Sequence, residues 1–235
     1  MRGNKYWLRW AGHVLFTLLY AGVMGIGLLE VYEKEAAAAF APVGKRVVML
    51  DAGHGGKDPG MVAQTGQTEA PINLAITEQI QRYLELGGAV ALMTRTDEAA
   101  LGGNKREDMS ARRALADNSA ADILVSIHQN SYPDETVRGA QVFYNGNSAE
   151  GKRLAESIQT ALDASLSPEK AREAKANASY YLLKETDVVA VIVECGFLTN
   201  EEEGRLLSRG EYQERVAWAV YTGIVQYFIN TPTHP

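Results

Sequence analysis

Hydrophobic and polar positions follow two different periods along residues 45–231, and these periods predict a succession of strands and helices. Short apolar runs predict buried strands, and apolar residues three and four positions apart predict amphipathic helices. Predicted strands cover 47–50, 89–93, 122–127, 140–144 and 188–193, and predicted helices cover 72–86, 108–118, 149–166 and 211–229. Because strands alternate with helices, we predict an α/β fold, a mostly parallel twisted sheet with helices on both faces.

The N-terminal segment has a different pattern. No Asp, Glu, Lys or Arg occurs from Trp10 to Leu29, and a helix that is apolar on every face suits lipid or, alternatively, a deep core. Its length is close to the roughly 20 residues that span a bilayer. Basic residues precede it and acidic residues follow it, so the positive-inside rule places the N-terminus in the cytoplasm. We therefore predict one transmembrane helix and an extracytoplasmic globular part.

These patterns predict four parts of the chain: a cytoplasmic stub and transmembrane signal-anchor (1–35), a linker (36–44), a folded domain (45–231) and a tail (232–235). Small residues at 36–39 also fit a signal-peptidase site, in which case the domain would be secreted. The charged residues at 33–35 separate those alanines from the apolar run. This separation favours an anchor that is not cleaved.

Composition and charge narrow the function classes. The chain is 46% hydrophobic and 22% charged, which is typical of a folded domain. Its net charge of −6 disfavours a nucleic-acid partner, because phosphate binding needs a basic face. Cys195 is the single cysteine, so neither an intramolecular disulfide nor a cysteine-rich zinc site is possible.

Candidate functional residues follow the predicted strands. His54 and His128, the two histidines of the domain, and Glu194 all come at carboxyl ends of predicted strands, where α/β sheets bind ligands. Two histidines and a carboxylate are a ligand set for catalytic zinc. Each residue also has an ordinary structural role as an alternative. The carboxylates that remain candidates at this stage are Asp51, Asp58, Glu69 and Glu194.

Four motifs in a fixed order carry a family resemblance. They are VMLDAGHGGKDPG at 48–60, GQTE at 66–69, SIHQN at 126–130 and VECGFLTN at 193–200. The whole domain, from about Arg46 to Phe228, resembles the zinc-dependent N-acetylmuramoyl-L-alanine amidases of the amidase-3 family. Ala52 and Cys195 depart from residues that are common in the family, and neither coincides with a ligand position.

The resemblance implies roles for particular residues. It implies one zinc ion per chain, bound by His54, Glu69 and His128, with Glu194 as general acid/base. The implied substrate is peptidoglycan, cut at the amide between the lactyl group of muramic acid and L-alanine. Three further residues are candidates for positioning the substrate or the metal ligands: Asn130, Arg95 and Asp51. Asp51 could orient His54, or it could equally be a turn residue at the end of a strand.

Residues 139–144 and the helix after them resemble the spore-germination type within the family. That resemblance implies a role in spore cortex maturation, through muramic lactam formation, or in germination. Residues 130–139 are too few for the helical insertion that blocks zinc in division enzymes. We therefore expect control by expression or by an unidentified activating protein partner. Two alternatives stay open: another zinc amidohydrolase, such as a stem-peptide carboxypeptidase, and a non-catalytic, membrane-anchored wall-binding protein.

Overall fold

The computed structural model describes residues 41–64 and 66–231, together with Tyr20 and Met24. The tail and most of the predicted transmembrane run lie outside the described residues. Among the helices of the described residues, none is both long and apolar enough to cross a bilayer. Residues 41–44, at the end of the predicted linker, pack on the domain, and Val43 is buried.

The centre of the domain is a six-stranded sheet in the order β2-β1-β3-β6-β4-β5. Every pairing described is parallel except that of β4 with β6. The predicted α/β fold is thus confirmed, and the antiparallel pairing of β4 with β6 makes the mostly parallel sheet a mixed one. The strands are β1 (Val47–Ala52), β2 (Val90–Met93), β3 (Ile123–Asn130), β4 (Gln141–Tyr144), β5 (Lys175–Ala176) and β6 (Val189–Phe197).

Helices cover both faces of the sheet, as predicted. The larger apolar core packs one face against α1, α3 and α6, and a smaller core packs the other face against α2 and α4. Neighbouring residues of β1 belong to different cores, Leu50 to the larger and Met49 to the smaller, because successive side chains of a strand point to opposite faces of the sheet. The helices are α1 (Glu69–Leu86), α2 (Lys105–Asp117), α3 (Ala149–Leu166), α4 (Tyr181–Glu185), α5 (Glu201–Leu207) and α6 (Gly210–Ile229).

Several boundaries differ from those predicted. Helix α1 begins at Glu69 rather than at residue 72. Pro71 does not interrupt it, because proline is tolerated in the first turn of a helix. Helix α2 begins at Lys105 rather than at residue 108, because the side chain of Asn104 accepts a hydrogen bond from the Glu107 N–H and caps it. Strands β3 and β6 continue past their predicted ends, so His128 and Glu194 lie within strands. Elements β5, α4 and α5 were not predicted.

Candidate metal centre and catalytic cleft

Three of the predicted site residues converge. His54 lies in the loop after β1, Glu69 is the first residue of α1, and His128 belongs to β3. His54 Nε2 lies 3.2 Å from Glu69 Oε2, and His128 Nδ1 lies 3.0 Å from Glu69 Oε1. One ligand atom from each residue lies within 4.8 Å of the others. The structure thereby brings together residues that are 74 positions apart at most in the sequence, from His54 to His128.

The loop that carries His54 is held in an unusual backbone conformation. His54 has a φ of 63°, in the left-handed region that non-glycine residues rarely adopt. Such outliers persist only where surrounding contacts enforce them, and they cluster at functional sites. Here Asp58 Oδ2 lies 2.9 Å from His54 Nδ1, and the Gly60 N–H donates to Asp58 Oδ1. With Nδ1 bonded to Asp58, Nε2 is the ring nitrogen that faces Glu69.

Glu69 is buried and its carboxylate accepts several hydrogen bonds. Oε2 accepts from the Met61 N–H, and Oε1 accepts from the Gln129 N–H and from Asn73 Nδ2. Gln129 Nε2 in turn donates to Asn73 Oδ1. These donors fix the orientation of Glu69, and they leave its two oxygens facing the two imidazoles.

Charge within this cluster favours a cation. Burial by itself would raise the pKa of Glu69, but His128 and His54 outweigh it and hold that pKa well below its ordinary value. Burial lowers the pKa of His54, yet hydrogen bonds and charge from Glu69 and Asp58 prevail and raise it to about 9. An anionic carboxylate therefore draws positive charge onto both histidines, and a divalent cation could supply that charge in place of the protons.

The donor set suits zinc, because two imidazoles and a carboxylate are a ligand set of catalytic zinc sites. Glycines make room for this packing: a Cβ at Gly53 would lie 2.2 Å from His128 Cε1, and a Cβ at Gly60 would lie 2.5 Å from Glu69 Oε2. The residues present thus fit a His₂Glu zinc site.

Glu194 completes the cleft. It pairs in register with His128 across β3 and β6, and both residues line a cleft of about 810 Å³. Burial raises the pKa of Glu194, with a further contribution from the charge of Glu69. Tyr180 donates a hydrogen bond to Glu194 Oε1 at 3.1 Å, and the buried Oε2 has no partner in the described residues.

The other predicted candidates lie in different positions. Asp51 is buried behind the cluster and accepts hydrogen bonds from Thr94, Ser126 and Arg112, so the contact to His54 Nδ1 comes from Asp58 instead. Arg95 is also buried and donates to the carbonyls of Ala52, Gly53 and Ala70, which supports the loop beneath His54. Asn130 lines the cleft.

Arg112 is a site residue that the sequence reasoning missed. Its side chain is 1% exposed, and its guanidinium donates to Asp51 and to the carbonyls of Ala52 and His54, the last two at 2.7 and 2.6 Å. Burial by itself would raise the pKa of Asp51, but Arg112 and two hydroxyl donors lower it. This ion pair fixes the backbone that presents His54. The sequence signal was weak, since a polar residue in a helix normally indicates the solvent face.

A His/Glu/His cluster beside a buried carboxylate, in an open cleft of an α/β sheet, is the arrangement of a hydrolytic enzyme. Comparison with known proteins agrees. The family profile described as N-acetylmuramoyl-L-alanine amidase matches residues 48–226, and the chain belongs to this amidase family. The resemblance seen in the four motifs is thereby confirmed, and the protein is an enzyme of the amidase class.

Individual relatives cover most of the chain. It is 36% identical over 195 residues to the germination-specific N-acetylmuramoyl-L-alanine amidase of Bacillus subtilis (strain 168). This alignment covers 80% of this chain and 81% of that protein. Among solved structures, it is similar to the CwlD amidase from Clostridioides difficile, which was solved in complex with the GerS lipoprotein. The superposition has a TM-score of 0.77 and 36% sequence identity, and it covers 80% of this chain and 100% of that chain. AmiA of Escherichia coli (strain K12) is 28% identical over 228 residues, covering 79% of this chain and 77% of AmiA.

Proposed function

We propose that this chain is a zinc-dependent amidase that removes peptide stems from peptidoglycan by hydrolysing the amide between the muramic acid lactyl group and L-alanine. The observation that carries this proposal is the convergence of His54, Glu69 and His128 beside Glu194 in one cleft. The family supports the amidase class, and the donor set supports zinc.

In the proposed hydrolysis, the metal and Glu194 have separate roles. Zinc, when bound by His54, Glu69 and His128, would lower the pKa of water and polarise the amide carbonyl. Glu194 lines the same cleft as these three residues, and its carboxylate would take a proton from the attacking water. Glu194 then passes that proton to the nitrogen of the departing L-alanine, as a general acid. The raised pKa of Glu194 suits a group that must both accept and release a proton.

The biological setting follows from the relatives and from the sequence. Similarity to a germination-specific amidase supports a role in spore cortex maturation or germination. The apolar run from Trp10 to Leu29 supports a single-pass membrane protein with its catalytic domain outside the cytoplasm. CwlD was solved with a lipoprotein, which supports a protein partner for this chain as well.

Product analysis tests the proposal. The full chain, with zinc, is incubated with purified peptidoglycan, and the products are identified by mass spectrometry. We expect intact stem peptides that begin with L-alanine, and their loss when a chelator is added. Release of single amino acids would instead indicate a carboxypeptidase and would contradict the proposed bond.

Replacing the proposed acid/base separates binding from turnover. Glu194→Gln should lower kcat by about 10²–10⁴-fold, the usual contribution of general acid–base catalysis, while zinc content stays unchanged. Glu202→Gln is the matched control, because Glu202 is exposed and pairs with Arg138 away from the cluster. Full activity in the Glu194 variant would show that the proton is carried elsewhere.

A further inference from the structure

We infer that Tyr180 is a positioning residue for catalysis, and that its hydroxyl fixes the orientation of the Glu194 carboxylate in the cleft. This inference rests on the proposed function, since it concerns the general acid/base of that reaction. It is carried by the contacts of Tyr180 and Glu194 in the cleft.

The hydrogen bond between these residues is selective for one oxygen. Tyr180 donates to Glu194 Oε1 at 3.1 Å, whereas Oε2 is buried and has no partner. Within the part of the chain that the structure describes, Tyr180 is the only hydrogen-bond partner of this carboxylate. Burial, followed by the charge of Glu194, raises the pKa of Tyr180, so its hydroxyl keeps its proton and acts as a donor.

Tyr180 is itself well fixed. Its backbone N–H donates to Asn177 Oδ1 at 2.9 Å, and Ser179 donates to the same oxygen. Its ring packs edge-on against Phe143, with centroids 5.5 Å apart, and Phe143 pairs with Ile192 two residues before Glu194. The ring is thus packed on β4, the strand that pairs with the one carrying Glu194.

The hydrogen bond to Oε1 fixes the orientation of the whole carboxylate. A carboxylate without this hydrogen bond can rotate about its terminal bond, because such sp²-centred torsions are broad. A displacement of about 1 Å at a reacting group can cost about 10²-fold in rate. Tyr180 therefore acts on kcat through Glu194, and it has little effect on substrate binding.

The test compares Tyr180→Phe with Tyr83→Phe in the full chain. Tyr83 also donates a hydrogen bond to a carboxylate, that of Glu214, and it does not belong to the lining of the cleft. We expect Tyr180→Phe to lower kcat by about 10- to 100-fold with KM, zinc content and thermal midpoint unchanged, and Tyr83→Phe to leave kcat unchanged. The phenylalanine keeps the packing against Phe143, so the variant should fold. Wild-type kcat in Tyr180→Phe would overturn the inference.

A double-substitution cycle shows whether the effect passes through Glu194. In a Glu194→Asp background the carboxylate is one methylene shorter and does not reach Tyr180. There, Tyr180→Phe should cause less than about a twofold further loss, because the two residues act as one unit. An equal loss of activity in both backgrounds would show that Tyr180 acts independently of Glu194.

Crystal structures give a readout that does not depend on the amidase activity. In the unsubstituted chain Glu194 should occupy one rotamer, and in Tyr180→Phe it should leave that position or occupy more than one. A Glu194 carboxylate that is unchanged in the variant would overturn the inference. Failure of the unsubstituted chain to release stem peptides would count against the proposed function, and the crystallographic comparison would still decide the role of Tyr180.

Discussion

His128 and Glu194 lie directly opposite each other on the neighbouring parallel strands β3 and β6. In-register side chains on adjacent strands project from the same face of the sheet, and both of these line the cleft. A candidate metal ligand and the candidate acid/base are therefore joined by the hydrogen-bonding ladder of the sheet, which is more rigid than a loop. The ladder becomes irregular just beyond them, between His128 and Asn130.

Zinc affinity should depend on Asp58 although Asp58 is not a proposed ligand. Asp58→Asn removes the charge that orients and polarises His54, and loss of such a partner typically weakens metal binding by about 10- to 100-fold. The dissociation constant is measured by competition with a chelator. Asp134→Asn is the control, since Asp134 lies in an exposed loop and bonds Thr136. Equal affinity in both variants would contradict the orienting role.

Zinc affinity should also rise with pH. The pKa of His54 in the metal-free protein is raised to about 9, so His54 carries a proton at neutral pH, and zinc binding must release it. Below pH 9 the affinity should therefore increase by at least about tenfold for each pH unit. Titration calorimetry in buffers of different ionisation enthalpy counts the protons released. Release of no proton near pH 7 would contradict the assigned pKa.

Breaking the buried ion pair should destabilise the domain. Arg112→Met leaves Asp51 buried without its cation, and removal of one partner of a buried pair costs about 3–5 kcal/mol in the free energy of unfolding. Arg113→Met is a matched control on the same helix, because the ion pair of Arg113 with Asp117 is at the surface, where such pairs contribute little. Denaturant unfolding compares the two variants, and equal stability would contradict the structural role of Arg112.

Gly53 should not tolerate a side chain. A Cβ at this position would lie 2.2 Å from His128 Cε1, so Gly53→Ala should displace the imidazole and abolish stoichiometric zinc binding. Gly210→Ala is the control, because nothing lies within 4 Å of a Cβ at Gly210. Metal content is measured after dialysis. One zinc ion retained per Gly53→Ala chain would show that His128 can move without loss of the site.

Local sequence patterns predicted the sheet, the larger helices and three of the site residues. His54, His128 and Glu194 could be found because the ends of parallel strands meet at one edge of an α/β sheet. Glu69 could be assigned only through the family resemblance, since the apolar period of α1 begins after it. Pro71 concealed the first turn of that helix.

The remaining site residues depend on long-range contacts that no local pattern reveals. Arg112 bonds Asp51 across 61 positions. Tyr180 comes from an irregular segment whose hydrogen bonds to Asn177 determine its position. Neither residue belongs to an apolar period, and neither lies next to a motif. Their roles become visible only once the strands and loops are placed in space.

Diffraction data collected at the zinc absorption edge from crystals of the full chain would locate the bound metal. We expect a single anomalous peak per chain within about 2.0–2.2 Å of His54, Glu69 and His128, with Glu194 beside it and outside the ligand set. A peak at another position, or no peak in zinc-saturated crystals, would contradict the proposed metal centre and the mechanism built on it.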